Sequence, residues 1–168
     1  IESCSWSREA TLPSMLMVVS KVFANGRGLR QGDPASPILF NFVADALSCL
    51  LSRAATCGHI TPVSSNLIPH GLTHLQYADD TIIMVELDDA CLAHLKFILL
   101  CFEAMSGLKI NFAKSEVVVT GVDESEAVRV AHLLNFKPGS FPYKYLGLPI
   151  SPDVLHAKDF APVVTKVG

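Results

Sequence analysis

His74-Leu75-Gln76-Tyr77-Ala78-Asp79-Asp80-Thr81-Ile82-Ile83-Met84-Val85 sets two β-favouring stretches, His74 to Tyr77 and Thr81 to Val85, on either side of two adjacent acids. Short β-rich runs joined by a polar pair predict a hairpin with Asp79 and Asp80 at its turn. Successive strand residues point to opposite sides, so a turn is what lets neighbouring acids serve one site. Carboxylates amid apolar strands face solvent, cap something or hold a cation. Hard oxygen ligands suit Mg2+. Two such ions about 3.5–4 Å apart can activate an attacking hydroxyl and stabilise the leaving oxygen of a displaced phosphate. Asp is also a common turn former, and on the dipeptide alone a plain polar hairpin tip is the more economical account.

Working upstream, Asp33-Pro34 predicts a helix start, with Asp capping the free amides and Pro fitting the first helical position. Ile38, Leu39, Phe42, Val43, Ala46, Leu47 and Leu50 recur at three- and four-residue steps, so this helix should bury one broad stripe and run to about Arg53. Residues 58–71, rich in Gly, Pro, Ser and Asn, form a loop or a weak hairpin. Met15 to Phe23 is apolar and Val-rich, and periodicity does not decide between strand and short helix. The first dozen residues read as a lead-in. Downstream, Asp88 and Asp89 open a second amphipathic helix with Leu92, Leu95, Leu99 and Phe102 on one face and Gly107 as its stop. Val117 to Thr120 is a short strand. Asp123 to Asn135 is a third helix with Val128, Ala131 and Leu134 inward, and Tyr143 to Ile150 is a last extended segment. Helix, hairpin, helix, strand, helix, strand is an α+β layout, an antiparallel sheet backed by helices.

A chain of 168 residues suits one domain. Half its residues are hydrophobic and 17% are charged, with a mean hydropathy of +0.40, where a soluble domain usually carries about a quarter charged. The apolar run from Met15 to Val19 is interrupted by Ser20 and Lys21, short of the roughly 20 residues of a membrane span. No basic start followed by an apolar run and a small-residue cleavage site is present, so neither a span nor a secretory leader is expected. The apolar excess reads as core elements of a larger protein whose covering parts are missing. The five cysteines, Cys4, Cys49, Cys57, Cys91 and Cys101, share no CxxC spacing, which predicts reduced, mostly buried thiols. With a net charge of −3 the chain lacks the basic balance of a lone nucleic-acid binder, so any such grip is local or borrowed from the rest of a longer polyprotein.

Four motifs give the acids a context. Gly28-Leu29-Arg30-Gln31-Gly32-Asp33-Pro34-Ala35-Ser36-Pro37 comes first, then Tyr77-Ala78-Asp79-Asp80. Gly107-Leu108-Lys109-Ile110-Asn111 with Lys114-Ser115-Glu116 follows, then Tyr145-Leu146-Gly147-Leu148-Pro149. In this order and spacing the series resembles the reverse transcriptases of non-LTR (LINE-type) retrotransposons, plant lineages above all, over roughly residues 20–150. The resemblance implies a right-hand polymerase fold, with residues 1–24 a degenerate lead-in, 25–150 a partial palm and 151–168 the truncated start of the thumb or connection. It implies template-directed DNA synthesis on RNA, with two Mg2+ ions, an RNA template, a DNA primer and deoxynucleoside triphosphates. Asp79 becomes the stronger metal ligand and Asp80 the weaker. Tyr77 lies beside the primer end, and Arg30, Gln31 and Gly32 meet the incoming nucleotide and template base. An Arg fork, an adaptable Gln amide and a close Gly backbone suit that task; for Asp33 the helix cap is the preferred role. Lys114 is a candidate general acid near the leaving pyrophosphate, with Lys109 a rival and a solvated surface lysine the plain alternative. Tyr145, Leu146 and Gly147 resemble the hairpin that steadies the primer strand, the alternative being an ordinary edge strand. The histidines, His74 included, have no ligand spacing and receive no role.

The sequence also departs from the family. The first metal-binding acid belongs to an upstream apolar strand with a Phe-Asp pair, and here no Asp precedes Asp33. The fingers and thumb are missing as well, and Val18 to Asn25 reaches Gly26-Arg27-Gly28 early, as after an internal deletion. Phosphoryl transfer rests almost wholly on positioning and charge stabilisation, and losing one preorganised group costs about 10²–10³ in rate. The expectation is a chain inactive or nearly so alone, with a non-catalytic nucleic-acid- or protein-binding remnant as the other reading. Family habit places such enzymes in nucleus or cytoplasm, not among secreted proteins.

Overall fold

The computed structural model describes residues 14–23, 34–64, 68–152 and 154–160. Its centre is the strand Met15–Phe23 (β1), which pairs antiparallel with Asp80–Glu86 (β3) on one side. On the other side β1 pairs with Lys109–Ile110 (β4) and Glu116–Thr120 (β5). His74–Tyr77 (β2) closes the edge beyond β3, and Lys137–Pro138 (β6) the edge beyond β5. The β5–β6 pairing is parallel, so the sheet is antiparallel except at that short edge. Tyr143–Tyr145 (β7) and Leu148–Ile150 (β8) form a separate hairpin, and a 3-10 turn at Ala157–Phe160 follows. The mixed architecture is α+β, as the element order predicts.

Three helices cover one face: Ser36–Thr56 (α1), Asp89–Ser106 (α2) and Glu124–Leu134 (α3). Leu47 and Leu51 of α1, Leu92, Leu95, Leu99 and Phe102 of α2, and Val130, Ala131 and Leu134 of α3 meet Leu16, Val18, Ile83, Val85 and Val117 of the sheet. On the opposite face Met17, Ile82 and Val118 are buried beneath Phe141, Tyr143, Tyr145 and Ile150. Burial on both faces explains why β1 reads as a continuous apolar run instead of an alternation. The strand therefore lies inside residues 1–24, and it is the middle of the sheet.

The caps of α2 and α3 follow the sequence. Asp88 accepts hydrogen bonds from the Ala90 and Cys91 amides at 3.0 and 3.1 Å, and Gly107 takes φ +71° at the stop. Asp123 and Asn135 bracket α3 in the same way. Helix α1 differs from expectation. Its N-cap is Ala35, without a side-chain cap, and Pro37 rather than Pro34 lies in its first turn; Asp33 lies outside the described residues. The expected stripe is buried only in its C-terminal half, for Ile38, Leu39 and Phe42 are 59%, 47% and 70% exposed. That first half runs past the elements that cover Leu47, Leu51 and Ala54. In α3 the inward residue is Val130, while Val128 is exposed, because the buried stripe is set one step further along. By length and composition α1 has what a membrane span needs, 21 residues with a hydropathy of 1.4, which a search for uninterrupted apolar runs passes over. Of the described cysteines only Cys91 is fully buried, and Cys49 and Cys57 are exposed, against the expectation of mostly buried thiols.

Candidate active site at the Asp79–Asp80 turn

The β2–β3 hairpin turns through a two-residue loop, Ala78-Asp79, with Tyr77 and Asp80 paired across it. Ala78 holds φ +51°, whereas Asp79 does not, the signature of a turn that favours glycine at its first position. Asp79 is thus carried at the tip and Asp80 on the first rung of β3, both half-buried.

Strand alternation sorts the neighbours. On β2, His74 and Gln76 face α1, where the Ser48 hydroxyl donates to Gln76 Oε1 at 3.2 Å and lies 2.8 Å from His74 Nε2. Burial holds the His74 imidazole below its ordinary pKa. Leu75 and Tyr77 point the other way and are exposed, Tyr77 by 63%. On β3, Ile83 and Val85 join the helix-side core and Ile82 the opposite cluster. By the same alternation Asp80 belongs to the face away from the helices.

That face is covered by the β7–β8 hairpin, whose loop residues Leu146 and Gly147 hold φ +51° and +90°. Tyr143 and Tyr145 pack over Met17, Ile82 and Val118. Burial raises both phenols above their ordinary pKa; the charge of Asp80 adds to it in each, preceded by that of Glu116 for Tyr143. The structure thus brings Tyr143 and Tyr145 within reach of the Asp80 charge, with Glu116 beside Tyr143; Tyr143 and Glu116 carry no role in the sequence reading. The Tyr143-Lys144-Tyr145 alternation was the available signal. Lys114 lies in the connection between β4 and β5. It is exposed in the turn before β5, and β5 lies two strand spacings from β3 with β1 between, about 10 Å across. Arg30, Gln31 and Gly32 lie outside the described residues.

The strand beside Asp80 adds no further carboxylate. The register of β1 and β3 sets Lys21 against Asp80 and Ser20 against Thr81, and the nine residues of β1, MLMVVSKVF, include no acid. Among the described residues no three His, Cys, Asp or Glu side chains converge on one point. Mg2+ is usually held by one or two carboxylates together with substrate phosphates, and Asp79 and Asp80 are the two that this turn offers.

A family model for reverse transcriptase (RNA-dependent DNA polymerase) matches residues 3–150. The chain belongs to that family. Reverse transcriptases bind nucleic-acid template and primer and generally use Mg2+. Over 56 residues the chain is 48% identical to an uncharacterized mitochondrial protein of Arabidopsis thaliana, a match covering 33% of this chain and 45% of the relative. The chain thus spans less than half the length of that relative.

Proposed function

We propose that this reverse-transcriptase chain is a palm fragment of the plant non-LTR type, residues 25–150 with β1 joined to them, whose Asp79–Asp80 turn no longer supports nucleotidyl transfer. One observation carries the reading: the position opposite Asp80 on the central strand is Lys21, on a strand without acids. A strand without carboxylates leaves the turn short of a third oxygen ligand for the divalent charge that the family's chemistry depends on. Under this reading Asp79 and Asp80 retain weak affinity for Mg2+, Tyr77 and Tyr145 keep their places near a primer strand, and Arg30, Gln31 and Gly32 keep their places near a nucleotide. Lys114, across β1 from the acids, acts as a surface lysine.

Primer extension on poly(rA)/oligo(dT) with Mg2+ tests the proposal. The expected result is no synthesis above background; synthesis well above it, abolished by Asp79→Ala, overturns it. The exposed Ile38, Leu39 and Phe42 favour a second element of the reading, in which other polymerase parts cover α1. A nucleic-acid-binding remnant without chemistry separates from this by a gel shift whose affinity falls steeply with salt.

A further inference from the structure

At the end of β3 remote from the acid turn, two imidazoles that the polymerase reading does not use face each other. His59 follows α1 in a turn that Gly58, at φ +74°, makes possible, and its amide donates to Ala54 O at 2.8 Å. His94 lies on α2. The two rings have centroids 4.9 Å apart and planes tilted by 53°. His94 Nδ1 lies 2.8 Å from the His59 carbonyl oxygen. A carbonyl only accepts, so Nδ1 carries a proton, which in the neutral ring leaves the Nε2 lone pair free for an ion. Metal-binding histidines are oriented in this way, one ring N–H given to a backbone carbonyl and the other nitrogen left for the ion.

The spacing allows a shared ion. With a metal–nitrogen bond of about 2.0–2.1 Å and a ring centre about 1.2 Å further, each centroid stands about 3.2 Å from the metal. Centroids 4.9 Å apart then subtend an angle near 100° at the ion, close to the tetrahedral value of about 109°. Both side chains are exposed, so the rings can turn toward an ion without disturbing the core. We propose that His59 and His94 form a two-imidazole site for a divalent transition-metal ion of the Zn2+ type.

Imidazole selects Zn2+, Cu2+ and Ni2+ over Mg2+ and Ca2+, which separates this site chemically from the carboxylate turn. Water completes the coordination, and the exposed Cys57 thiol, two residues before His59, is within the same segment. Cys91 is one turn before His94, but burial pushes its thiol up, and Asp88 and Glu86 oppose its ionisation further. It therefore stays protonated and outside the site. A bound ion ties the turn after α1 to α2, across 35 residues of sequence.

Calorimetric titration of the full chain with Zn2+, with excess Mg2+ present, tests the site. One equivalent should bind and raise the Tm. Changing even an outer partner of a metal ligand typically weakens binding about 10–100-fold, so His59→Ala and His94→Ala should each weaken it tenfold or more, while His156→Ala leaves it unchanged. Thermal melts of the metal-free variants report that they fold. Zn2+ affinity within twofold of the parent in either His59→Ala or His94→Ala overturns the proposal, as does displacement of Zn2+ by Mg2+. None of these outcomes depends on polymerase activity.

Discussion

Replacing Lys21 with aspartate probes the reason given for a silent acid turn. Lys21 stands directly across from Asp80 in the β1–β3 register, and residues so placed have Cβ atoms about 4.5–5.5 Å apart. The change swaps a basic for an acidic residue at that register position, where an opposite-charge pair and a like-charge one are each worth roughly 0.2–1 kcal/mol. Without metal the Lys21→Asp chain should be less stable by about 0.4–2 kcal/mol, or roughly 1–8 °C in Tm for a chain of this size. Mg2+ should reverse the effect, because a cation among three carboxylates relieves their repulsion. Binding to the folded state alone adds about 2.7 kcal/mol when the ion is a hundredfold above its Kd. The assay is a set of thermal melts of parent and variant across a Mg2+ series at matched ionic strength, since screening by itself weakens exposed pairs. A Mg2+-dependent rise is expected in Lys21→Asp alone, and it should vanish when Asp80→Asn is added. Equal Mg2+ dependence in parent and variant refutes the argument, for then β1 is not what leaves the site incomplete.

Ala78→Gly should be neutral or stabilising by up to about 1 kcal/mol in denaturant unfolding, because it relieves a side chain held at φ +51°. Asp88→Ala removes the acceptor of two first-turn amides of α2 and should lower stability by about 1 kcal/mol in the same experiment. His74, with a folded-state pKa below its ordinary 6.5, favours the neutral form in the folded chain. Its contribution is fully present above pH 6.5 and is lost as pH falls through the lower, folded-state value. Melts between pH 7.5 and about 5 should show a declining Tm whose slope flattens in His74→Gln.

Much of this fold was legible because its local signals agree. In α2 the cap, the apolar spacing and the terminal glycine all point to one helix, and Leu92, Leu95, Leu99 and Phe102 are the buried face. The acid hairpin was legible because two β-favouring runs flank a two-residue loop. Where the sequence misled, the cause was tertiary. The apolar first half of α1 looks like a core stripe, but an apolar pattern states what a helix can bury and not what stands beside it. Met15 to Phe23 was ambiguous because a strand covered on both faces shows no period of two. The neighbours of Asp80 were hidden for a different reason. Lys21 stands opposite it only through strand register, and Tyr143 and Tyr145 come near it only through the fold-over of β7–β8, which no local pattern encodes.

The placement of β1 bears on when this chain can fold. The strand is synthesised before its partners, yet its pairing with β5 joins Met15 to Thr120, 105 residues later. A ribosome must therefore release most of the chain before the sheet can close, and until then Met17 and Val18 wait with one strand edge open. Contacts of such long span form slowly, and open apolar edges recruit other chains. Nascent chains stopped before residue 116 should accumulate as chaperone clients, whereas those carrying β5 should be released.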